Sequence, residues 1–62
     1  MELKDFKRKA VPGLYIFDHF EHENGAFVQR HVNGDLFVFQ GADGTRKDFT
    51  TIEALKAHLA TL

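Results

Sequence analysis

Cysteine, serine and tryptophan are all missing from this chain, and proline and methionine occur once each. Without cysteine there is no disulfide framework and no thiolate zinc site, which fits a reducing compartment. With serine also absent, the remaining hydroxyls are Thr45, Thr50, Thr51, Thr61 and Tyr15, and none has an activating neighbour in the sequence. No apolar run approaches the ~20 residues of a membrane span, and the opening Met-Glu-Leu-Lys lacks the apolar stretch of a secretory leader. These absences predict a soluble cytoplasmic protein that is not an enzyme and holds no cofactor. The net charge of −1 draws the chain as a whole toward neither nucleic acid nor membrane.

What the chain does have is phenylalanine, seven in 62 residues. A domain of this size buries only about 60% of the surface its unfolded chain exposes. A core this small rarely supplies more than roughly 3–5 kcal/mol net. With disulfides excluded, dimerisation is a common remaining way to add stability. Charge is unevenly spread: Lys4, Lys7, Arg8 and Lys9 cluster early, and Asp18, Glu21 and Glu23 follow close behind.

Residues 2–10 carry Leu3, Phe6 and Ala10 at helical spacing, so residues 1–11 read as a mobile segment or a short helix. Pro12-Gly13 stops any helix there. Leu14–His22 reads as a first strand, and Asn24-Gly25 as a two-residue type I′ turn. Ala26–Val32, Leu36–Gln40 and Thr45–Phe49 follow as strands, separated by Asn33-Gly34-Asp35 and Asp43-Gly44. Thr50-Thr51-Ile52-Glu53 has the form of a capping box with Thr50 as the cap. Ile52, Leu55, Leu59 and Leu62 then make one helical stripe. The expected fold is α+β: an antiparallel meander of three to four strands with one C-terminal helix on one face.

A two-residue Asp43-Gly44 turn sets Val38 opposite Phe49, and opposed residues share a face. Leu36, Val38 and Phe49 then face the helix, with Val28 and Val32 beside them if the loop before Leu36 has three residues. Phe37 and Phe39 point away, joined by Phe27 and in part by Ile16 and Phe20. One residue of register inverts the whole assignment. This aromatic face is the expected docking surface for a protein partner or a second copy, with Phe27, Phe37 and Phe39 as anchors and Arg30 and His31 on the rim. The plainer alternative is that Leu3 and Phe6 fold back over it.

His19 and His22 sit near Glu21 and Glu23, but a spacing of three places the two histidines on opposite faces of a strand, so no metal site is expected. Asp18 with His31, or His58, are acid–base pairs by residue type alone. The segment Asp43-Gly44-Thr45-Arg46-Lys47-Asp48-Phe49-Thr50-Thr51-Ile52-Glu53-Ala54 has a basic strand that ends in an aromatic and runs into a threonine-capped helix. Over residues 43–60 it resembles integrase arm-type and AP2-like DNA-binding domains. The resemblance implies a three-strand sheet laid on nucleic acid, with Lys7, Arg8, Lys9, Arg30, Arg46 and Lys47 meeting phosphates. The first strand is acidic where that family needs positive charge, so a protein partner is the preferred reading and nucleic acid the alternative.

Overall fold

In the computed structural model, which describes residues 1–62, a five-stranded antiparallel sheet carries one helix. The strands are β1 (Lys7–Lys9), β2 (Phe17–Glu21), β3 (Phe27–His31), β4 (Phe37–Gln40) and β5 (Arg46–Phe49), side by side in chain order. A 3₁₀ turn, Leu3–Asp5, precedes them, and the helix α1 (Ile52–Leu59) follows. The α+β meander with a C-terminal helix is as expected, with one strand more than the sequence suggested.

That extra strand is Lys7–Lys9, in the segment read as a tail or short helix. Lysine and arginine are indifferent strand formers, so its pairing has to come from its neighbour. Lys7 lies opposite Glu21 and Arg8 opposite Phe20. Lys9 reaches Glu21 at 3.0 Å and Arg8 reaches Asp18 at 3.0 Å. The early basic cluster and the acidic first strand are therefore partners.

Three of the hairpins use one device. Gly25 N–H donates to the His22 carbonyl, Gly34 N–H to that of His31, and Gly44 N–H to that of Gly41. Each glycine has positive φ and no other residue type does. A type I′ turn would need Asn24 at positive φ as well; a type I turn closed by a left-handed glycine needs only the glycine. The residue before two of these glycines locks the turn, with Asn24 Oδ1 accepting from Ala26 N–H and Asp43 Oδ1 from Thr45 N–H.

This turn chemistry moves the register by one residue on both sides of β4. Phe37, not Val38, lies opposite Phe49, and Val28 lies opposite Phe39. Phe37 and Phe39 therefore face α1, contrary to the expectation, and are 5% and 3% exposed. They pack with Val28, Ala26, Phe6, Leu55 and Leu59, flanked by Phe49, Phe20, Leu3 and Met1. Turning two rings inward removes more apolar area from water than burying Leu36 and Val38 would. Val38 instead lies on the helix-free face, covered by its neighbours there.

The helix begins one residue later than the capping box predicted. Thr51, extended at φ −131°, is the cap, and its hydroxyl accepts from Ala54 N–H at 3.2 Å. Leu55 and Leu59 are fully buried, whereas Ile52 and Leu62 at the stripe's ends are exposed. Lys56 and His58 occupy the last turn, where positive charge suits the helix dipole.

Candidate functional site

None of the seven phenylalanines is exposed in the single chain. The helix covers only part of them. Histidine does much of the rest: His22 meets Phe6 edge-on at 5.2 Å, His31 meets Phe17 at 5.3 Å, and His19 lies over Phe27 at 5.1 Å. His58 sits between Phe39 and Phe49 at 5.3 and 5.4 Å. All four histidines of the chain thus serve as ring covers. The Arg30 guanidinium caps a sixth ring, Phe20, at 5.8 Å.

The helix-free face is accordingly closed over by its own side chains. His19 accepts at Nδ1 from the Gln29 amide at 3.1 Å, which leaves its proton on Nε2 to be donated to Glu21 at 2.9 Å. Glu21 also takes Lys9, and its carboxyl is held below the usual carboxylate range by the Lys9 and His19 hydrogen bonds, Lys9 first. Phe27 and His31, two of the expected partner residues, lie half-buried on this face, and Phe37 and Phe39 are not on it at all. No group of His, Asp and Glu is gathered so as to hold a metal ion. His19 faces away from the helix while His22 turns toward Phe6.

The exposed apolar side chains are elsewhere. Ile16 and Val32 are each 57% exposed and are joined by a Val32 N–H to Ile16 carbonyl bond of 3.0 Å, two residues beyond the Asp18–Arg30 pair along the strands. Tyr15 beside them is 86% exposed. On the other side of Arg30 opens a cleft of about 200 Å³. The 3₁₀ turn lends it Leu3 and Phe6, the sheet Phe20, Val28 and Phe37, and the helix Ile52 and Leu55. Arg30 is the one charged residue in its wall. A larger hollow of about 350 Å³ between the 3₁₀ turn and the end of α1 is rimmed by Glu2, Lys4 and Lys56.

Arg30 is held in place by strand pairing. Asp18 stands opposite it on β2 and accepts from its Nη2 at 2.8 Å, while Arg8 donates to the other carboxylate oxygen at 3.0 Å. The Arg30 hydrogen bond, then the Arg8 charge, keeps the Asp18 carboxyl below its usual range against the opposing effect of desolvation. One row across the sheet thus runs from Asp18 and Arg30, clear of the helix, to Phe37 and Phe49 beneath it. The sequence flagged Arg30 and Ile16 but gave no sign of the cleft, because the positions of Leu3 and Ile52 depend on how the chain's two ends meet the sheet.

The six candidate phosphate-binding residues do not share a surface. Strand alternation puts Lys7, Lys9 and Arg46 on the helix-free side and Arg8, Arg30 and Lys47 on the other. Four of them are already paired: Arg8 and Arg30 with Asp18, Lys9 with Glu21, and Arg46 with Asp48 at 3.3 Å. Both sheet edges carry adjacent basic residues, Lys7-Arg8-Lys9 and Arg46-Lys47, a pattern that discourages edge-to-edge pairing of like copies. No helix is long and apolar enough to cross a membrane. No family model, curated protein or solved structure matches the chain.

Proposed function

We propose that this chain is a non-enzymatic binding module that docks a segment of a protein partner on the Arg30 end of its helix side. The observation that carries the reading is the placement of its exposed aliphatic residues. Ile16 and Val32 flank Arg30 on one side and the apolar cleft opens on the other, giving a solvent-facing apolar patch with an arginine at its centre. Binding hot spots favour arginine set among packed apolar neighbours. An ordinary interface takes roughly 800 Å² per partner, about a fifth of the 4260 Å² this molecule exposes. The cleft beside Arg30, at about 200 Å³, is of a size for one side chain, which favours a short segment over a globular surface.

Nucleic acid fits less well, since the basic residues are divided between two faces and mostly neutralised by partners. Enzymatic chemistry has no support either: the His19–Glu21 pair lies flat on the sheet, with both ring nitrogens engaged and no nucleophile beside it.

The test is to pan a random dodecapeptide display library against the immobilised chain and map a selected peptide by amide chemical shifts. Shifts at Ile16, Arg30, Val32 and residues 52–55, lost in an Ile16→Ser/Val32→Ser variant, are expected. Both sites are exposed, so the fold should tolerate the change. Shifts centred on Phe27 and His31, or a library that yields no saturable binder, would overturn the reading.

A further inference from the structure

We infer, building on the docking reading above, that the segment bound at this site presents one large apolar side chain with a carboxylate next to it. At about 200 Å³ the cleft is below the ~300 Å³ at which small-molecule pockets begin. It suits a single anchoring side chain of a polypeptide rather than a whole free ligand. Seven of its eight lining residues are apolar, so that side chain is aliphatic or aromatic.

The charge of the neighbouring group follows from Arg30. A guanidinium has five N–H donors, and Arg30 makes one protein hydrogen bond, from Nη2 to Asp18. Its other nitrogens have no protein acceptor. Asp18 is shared with Arg8, so two cations stand against one carboxylate and the site keeps one unit of positive charge. The guanidinium is backed by the Phe20 ring and fixed by its ion pair, so little freedom is lost when an anion docks. Its planar fork matches a carboxylate. A single surplus charge matches a monoanion better than a doubly charged phosphoryl group.

The experiment titrates the ¹⁵N-labelled full chain with three capped tetrapeptides, acetyl-Ala-Leu-X-Ala-amide, with X as aspartate, asparagine or phosphoserine. The aspartate peptide should move the Leu3, Val28, Ile52 and Arg30 Nε–H signals saturably, and the asparagine peptide should bind about tenfold more weakly, the loss of one charge-assisted pair. Arg30→Gln should bring the two to one weak affinity. Equal binding of both by the unmodified chain overturns the carboxylate assignment and leaves the docking surface standing. Tighter binding of the phosphoserine peptide overturns the monoanion assignment. No saturable response at the cleft from any of the three overturns both the inference and the reading beneath it.

Discussion

Asp18 on β2 binds two arginines at once, Arg30 through Oδ2 at 2.8 Å and Arg8 through Oδ1 at 3.0 Å. This bridge ties the edge strand to the centre of the sheet and fixes the one guanidinium that faces the apolar cleft. Structure and proposed function therefore depend on the same carboxylate.

Acid should loosen the fold. Asp18, Glu21 and Asp43 have folded-state values below their usual 3.8, 4.5 and 3.8, chiefly through hydrogen bonds from Arg30, from Lys9 and from the Thr45 amide respectively. A carboxyl depressed by folding stabilises the fold above its unfolded value, and that contribution disappears as pH falls through the folded one. The melting temperature followed by circular dichroism should hold near neutrality and decline below about pH 4. Asp18→Asn combined with Glu21→Gln should flatten the decline.

Core truncations should unfold the chain outright. Leu55→Ala or Phe39→Ala removes a fully enclosed side chain at a cost of about 2–5 kcal/mol, comparable to the total expected of a domain this small. Val32→Ser, at an exposed site, should change stability by less than about 0.5 kcal/mol. Urea denaturation of the three variants separates these outcomes.

The two adjacent threonines should differ. Thr51→Ala removes the oxygen that accepts from Ala54 N–H and should cost about 1 kcal/mol. Thr50→Ala should cost almost nothing, since no hydrogen bond in the structure uses its side chain. Paired urea melts would show the difference.

Gly34 tests the hairpin device. Its φ is +77°, yet a Cβ there would meet nothing within 4 Å. Gly34→Ala should therefore cost about 1–2 kcal/mol through backbone conformation alone, and Gly34→Asn less, because asparagine tolerates this region. Equal losses for the two would point to a steric cause instead.

The helix, the hairpin positions and the outward direction of Phe27 were all legible in the sequence. So were Val28 and Phe49 on the helix side. The inversions fall in β2 and β4, and they come from three loops each one residue off the expected length: Phe20 and Ile16, expected away from the helix, lie on its side, and Phe20 packs against the core. Asn-Gly and Asp-Gly suit either a two-residue turn or the last two places of a longer one, and pattern alone does not separate them. The slips at either end of β4 cancelled across it, so Phe27, Val28 and Phe49 lie on the expected sides while Phe37, Val38 and Phe39 are inverted, and Val32, expected under the helix, is 57% exposed. The strand Lys7–Lys9 was hidden because its signal lies in its partners Asp18 and Glu21 rather than in its own residues. The ring-covering histidines were invisible for a similar reason: His19, His22 and His31 are placed by the sheet and its turns, and His58 by how α1 docks on Phe39 and Phe49.

The central claim is that the lone chain encloses its phenylalanines and exposes Ile16 and Val32 beside Arg30. Proton relaxation enhancement by a soluble gadolinium chelate, recorded over a range of protein concentrations, measures this directly. The account predicts strong enhancement at the Ile16 and Val32 methyl groups and weak enhancement at the Phe37 and Phe39 rings, unchanged by dilution. Strong enhancement at those two rings, or protection of Ile16 and Val32 that vanishes on dilution, would contradict it.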